Sequence, residues 1–187
     1  MTPLSKGANV ALTKEIPGLT GVVVGVDWDT GSERSLSDNL GLLTILCDSS
    51  GKALSQEHVV YFNQLVSSDL STAQLEQAMG DDDEQVEIEL DAVPPEVDSI
   101  VFALYFNEGG TGRRTLGQLR RCVVRLLRLD TGAPILTTVD LADGLGSETA
   151  VRLGQIYRRG GDWKFKALGL GYSSGLQGLA KDFGVQL

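Results

Sequence analysis

The side chains best able to do chemistry in this sequence are carboxylates, and they come in groups. Asp81, Asp82, Asp83 and Glu84 run together just before an alternating stretch, and Asp27 and Asp29 flank Trp28 at the end of a valine-rich run. Asp38 and Asn39 stand immediately before a third apolar stretch. Hard divalent cations such as calcium take six to eight oxygens from carboxylates, amide and backbone carbonyls and water. Loops at one end of a β-sandwich bring such oxygens together from distant sequence, so Asp27, Asp29, Asp38, Asn39, Asp81, Asp82, Asp83 and Glu84 are the candidate ligands. The D-x-D-x-D-G spacing of an EF-hand is absent. The competing reading is a solvated acidic turn that keeps a sheet edge from pairing with other chains.

Arginines form the second group. Arg113, Arg114, Arg120, Arg121, Arg125 and Arg128 fall within sixteen positions of an otherwise acidic chain. If the stretch around them is a strand, Arg121 and Arg125 share one face with Val123, and Arg120, Cys122, Val124 and Leu126 share the other, so the basic stripe is incomplete. That face is either solvated and paired with the chain's own acids or a docking patch for an acidic partner. Other chemistry finds little support. The one histidine, His58, has no Cys or His at ligand spacing, which argues against zinc. Cys47 and Cys122 sit in apolar runs and read as packing residues. No G-x-S-x-G elbow occurs. The stretch GGTGRR lacks the Gly-Lys-Ser/Thr ending of a phosphate loop.

These groups need a scaffold, and the pattern describes one. At 187 residues with 42% hydrophobic and 22% charged residues, the chain suits a single domain, residues 1–187, with a substantial core. Acids outnumber Lys and Arg by 25 to 16, a net charge of −9, which disfavours a general nucleic-acid binder. Neither a signal-like start nor a membrane-length apolar run is seen, so a cytoplasmic protein is expected rather than a membrane protein. Short β-branched segments separated by glycines predict a mostly β, two-sheet sandwich with a few short helices. Residues 118–141 read as two strands around an Asp-Thr-Gly turn. Three segments are predicted helical: 71–79, with Leu75 and Met79 four apart; 147–160, with Ser147 as cap and Arg158 and Arg159 in the last turn; and a short one in 175–185.

Along nearly its whole length the chain resembles the TerD family of tellurium-resistance and general-stress proteins of bacteria. The resemblance is carried by LSKGANVAL at the start, VGVDWD, VVYFNQL, GDDDEQVEIEL followed by VPPEVDSIVFAL, and the long C-terminal stretch from RRTLGQLRRC to KDFGV. It implies a calcium-binding β-sandwich with acidic loops at one end. It also implies a role in resistance to tellurite and chemical stress alongside other stress-resistance proteins in a membrane-associated assembly, and no enzymatic activity. The sequence departs from the family where ligands are expected. Asn39-Leu40-Gly41-Leu42-Leu43 replaces the family's Asp-Leu-Asp-Ala-Ser, and a Gly-Asp-Asn element is missing between Asn63 and Gly80. Asp29, Asp82, Asp83 and Glu84 match, while Asp27, Asp38 and Asp81 are additional. Fewer anionic ligands imply a weakened or partial calcium site. The alternative is a metal-independent interaction subunit that docks through the arginine strand or the 70–79 segment.

Overall fold

In the computed structural model, which describes residues 1–107 and 114–187, the apolar faces of two antiparallel sheets enclose the core. The larger sheet runs β1 (Asn9–Ala11), β11 (Asp162–Tyr172), β10 (Ala150–Arg159), β7 (Ser99–Phe106), β3 (Leu40–Cys47), β4 (Val59–Val60). The smaller runs β5 (Thr72–Gln74), β6 (Glu84–Glu89), β2 (Gly21–Asp29), β8 (Arg121–Arg128), β9 (Pro134–Thr137). Period-two alternation builds the smaller sheet directly. Val22, Val24 and Val26 of β2, Val86 and Ile88 of β6, and Val124 and Leu126 of β8 are fully buried and belong to the same core cluster. The expected hairpin is β8 and β9, with Gly132 at φ 72° in its turn. Both cysteines are buried and unpaired, and burial pushes the Cys47 thiol up to about 12, so it is inert as a nucleophile.

Helix is scarce: α1 covers Arg34–Ser37 and α2 covers Gly175–Phe183. α2 is the short C-terminal helix expected from sequence. Its Leu179 and Phe183 cover Val101, Ala103 and Tyr105 on the outer face of the larger sheet, and Gly184 ends it in the left-handed conformation.

The other two helices expected from sequence are corrected: 147–160 is mostly strand, and 71–79 is a three-residue strand followed by irregular chain. Residues 150–159 form β10, whose register shifts between Arg152 and Gly154 against both neighbours. That bulge puts Val151, Leu153 and Ile156 on one face, a spacing of two and then three that imitates a helical stripe. Arg158 then serves no helix dipole. Its guanidinium lies 4.1 Å from the Trp163 ring centroid and donates to the carbonyls of Val97, Val93 and Pro94. Within 71–79, Thr72–Gln74 pair with β6, while the amides of Gln74 and Leu75 donate to Leu65 and Gln85. A nine-residue helix is marginal alone, and pairing with β6 and Leu65 outcompetes it.

Candidate functional site

Strand alternation turns the consecutive acids of 81–84 in different directions. Gly25 of β2 sits in register between Gln85 of β6 and Arg125 of β8. A Cβ on Gly25 would overlap the Asp82 carboxylate, so the missing side chain is what lets Asp82 lie across the sheet there. Asp82 accepts from Gln85 Nε2 at 2.7 Å and from Arg125 Nε at 2.8 Å, and Arg125 Nη2 closes the second arm of the pair. Gln85 in turn exchanges two 3.0 Å bonds with the Met79 backbone. The Asp82 side chain is only 3% exposed, so its charge is balanced by a guanidinium rather than by water.

Asp83 folds back on β2. Its Oδ2 accepts from the Trp28 amide at 2.8 Å, and its own amide donates to Val26 O. Asp27 pairs with Arg121 at 2.9 Å, and Asp29 accepts from the Gly31 amide at 2.7 Å within its own turn. Burial, with the charges of Asp27 and Asp82 behind it, pushes the Asp83 carboxyl up despite the Trp28 bond. Asp38 and Asp81 are exposed, and Asn39 donates to Ser35 O at 2.6 Å.

Glu84 continues the inward row of Val86 and Ile88, so it points between the sheets. β4 reaches only Thr44 and Ile45 of β3, which leaves the Leu42 amide on an open edge. Glu84 Oε2 takes that amide at 2.8 Å and Gln74 Nε2 at 3.1 Å, bridging the two sheets. Burial raises the Glu84 carboxyl, with the Leu42 bond opposing. A carboxyl raised on folding binds its proton more tightly in the folded state. Its contribution is therefore fully present below the ordinary value of 4.5 and lost as pH rises through the folded value. Glu84→Gln, which keeps an oxygen for Leu42, is accordingly expected to melt higher than the parent at pH 7.5. The gap closes below pH 4.5, and melting scans across that range check it.

His58 lies between Ser55 Oγ, 2.7 Å from Nδ1, and Asp69 Oδ2, 3.3 Å from Nε2. Ser55 Oγ also caps the 3-10 turn Gln56–His58 by accepting from the Glu57 amide, and Asp69 holds Ser67 Oγ and the Ser71 amide. The trio ties the 55–71 connection together. Sequence spacing pointed to Ser55 no more than to any other serine.

Arg121 and Arg125, the candidate docking residues, are both engaged by acids of the same chain, Asp27 and Asp82. Arg114 pairs with Glu33 at 3.0 Å; Arg113 and most of GGTGRR lie outside the described residues. Several of the candidate cation ligands already serve protein donors. Asp82, Asp83 and Glu84 each have donors already, and among the described residues no three of Asp, Glu, His and Cys are placed to share a metal. Sequence reasoning overlooked Gly25, Gln85 and Gln74. A lone glycine inside a valine-rich strand was the available sign of a close approach, while the helical reading of 71–79 hid Gln74.

Together these features define a two-sheet antiparallel sandwich with paired acids and arginines across one sheet. The TerD domain family matches residues 1–183, and the chain belongs to it. It is 37% identical to the tellurium resistance protein TerD of Serratia marcescens over 97% of this chain and 96% of that one. It is also 36% identical to general stress protein 16U of Bacillus subtilis, over 98% and 97% of the two chains. A solved structure from Streptomyces coelicolor, a homologue of telluride resistance protein (TerD), superposes with TM-score 0.65 at 20% identity. That match spans 87% of this chain and 96% of the other. Among the described residues, no helix is long and apolar enough to cross a membrane.

Proposed function

We propose that this TerD-family protein contributes to tellurite and chemical-stress resistance as a binding subunit, without catalysis and without a calcium ion. Its partners are other stress-resistance proteins, and it meets them from the cytoplasm. The observation that supports this reading is the guanidinium of Arg125 on Asp82. The positive charge that the acid run requires comes from the chain itself. Trp28 and Leu42 amides donate hydrogen bonds to the neighbouring carboxylates. Binding to partners then falls to uncommitted surface, of which the 70–79 segment, with Leu70 and Met79 largely exposed, is the leading candidate.

Calorimetry of chelator-stripped protein with calcium is expected to give no heat, and millimolar calcium no rise in melting temperature. Asp83→Asn is expected to restore tellurite survival to a strain lacking the protein as well as the parent sequence does. The calcium-dependent reading has one observation in its favour, the crowding of Asp27 and Asp82 about Asp83. Free calcium at a hundred times Kd would add about 2.7 kcal/mol of stability. A shift of that size, abolished in Asp83→Asn together with tellurite survival, would overturn the proposal.

A further inference from the structure

Away from the acid run, Lys14, Arg159 and Lys164 line a cleft of about 360 Å3 together with Glu15 and Asp162. The cleft adjoins the β10–β11 hairpin, at the end of the larger sheet where Tyr157, Ser99 and Cys47 lie side by side, the opposite end from Leu40. Gly160 and Gly161, at φ 59° and 88°, make the two-residue turn and set Arg159 opposite Asp162. Opposite charges facing across two strands ordinarily attract each other into a pair. Here Asp162 Oδ1 instead accepts from Thr13 Oγ1 at 3.2 Å, and Thr13 Oγ1 accepts from the Trp163 amide at 2.8 Å. Among the described residues, none of Lys14, Arg159 and Lys164 has an ion-pair partner, although Glu15 and Asp162 line the same cleft.

Three cations against two acids leave the cleft net positive, which selects an anion. Arg159 offers a planar fork of donors and the two lysines add point charges, a combination that suits phosphoryl oxygens. The carboxylates then choose among oxyanions. A carboxylate only accepts, so it favours a ligand that brings its own O–H and repels one that brings none. Inorganic phosphate carries a P–OH, and the phosphate ester of a polyol carries hydroxyls. Sulfate has neither. The volume lies near the lower end of the roughly 300–1,000 Å3 of small-molecule sites, which leaves room for a hydroxylated group beside the phosphate.

We propose that this cleft binds a phosphate group, with Arg159, Lys14 and Lys164 on the phosphoryl oxygens and Glu15 and Asp162 accepting from O–H groups of the ligand. The phosphate is either the inorganic ion or the monoester of a small polyol. The site shares no residue with the acid run, so it stands whether or not that run takes calcium.

The test is an NMR titration of the full chain at constant ionic strength, near the second phosphate pKa of about 6. It follows the backbone amides of Gly160 and Gly161 and the Nε–H of Arg159. The probes are inorganic phosphate and ribose 5-phosphate, with sulfate and ribose as controls. Inorganic phosphate is expected to shift all three signals saturably. Tighter binding of ribose 5-phosphate assigns the monoester, and equal or weaker binding assigns the free ion. Arg159→Gln should weaken phosphate about tenfold, and Lys14→Gln about threefold. Both positions are exposed, so folding is not at issue. Lys181→Gln, which removes an exposed cation on α2, should leave binding unchanged and separates local from overall charge. Absence of saturable shifts overturns the proposal, as does sulfate or ribose binding as tightly as phosphate. Undiminished binding in Arg159→Gln, or equal weakening in Lys181→Gln, would overturn it too.

Discussion

Arg125→Met should destabilise the protein by about 3 kcal/mol, because it leaves the Asp82 carboxylate buried with a single side-chain donor. Arg125 is the only cation paired with Asp82 among the described residues, while Gln85 remains as a neutral donor. Loss of one partner of a buried pair costs about 3–5 kcal/mol, and the one-third exposure of the Arg125 side chain argues for the lower end. For a domain of this size the melting temperature should fall by about 6–12 °C. Adding Asp82→Asn removes the stranded charge and should return about half of the loss, since the asparagine oxygen still accepts from Gln85. Chemical denaturation of both single variants and the double variant measures the coupling. A single variant within about 0.5 kcal/mol of the parent would mean that water reaches Asp82, and the acid run would again lack a charge partner.

The second large effect concerns the bulge in β10. A Cβ on Gly154 would meet the Lys166 carbonyl at 2.8 Å and the Phe165 ring at 2.9 Å. One contact is backbone and the other a fully buried ring, so neither yields easily. Gly154→Ala should cost about 2 kcal/mol, within the range for overpacking a tight core. Gly146→Ala is the matched control. Its Cβ would enter open space, and a change within about 0.5 kcal/mol is expected. Thermal melts of the two variants side by side separate a steric effect from the general effect of losing a glycine. Equal behaviour would mean that the β10 bulge relaxes freely.

Much of the molecule was legible residue by residue. Alternation in 84–90 and 121–128, the valine run of 22–26 and the Asp-Thr-Gly turn each specify local geometry through side-chain period and turn chemistry, and each folds as expected. Where a segment departs from the simple period, the reading failed. The bulge at Arg152–Gly154 shifts the inward face by one residue, and only the register against β7 and β11 reveals it. Residues 71–79 carry too few apolar positions to choose between helix and strand without β6 beside them.

The candidate site divides along the same line. That acids and arginines are concentrated in a β-sandwich follows from composition and order along the chain, which need no partner to be read. What those charges do depends on the neighbours that folding brings to them. Asp82 meets a guanidinium because β8 lies next to β2, with Gly25 leaving the gap between them. Glu84 meets the Leu42 amide because the opposite sheet leaves that edge uncovered. Each carboxylate's partner comes from a strand distant in sequence, and electrostatic pairing acts over a few ångströms of space, which residue order does not encode.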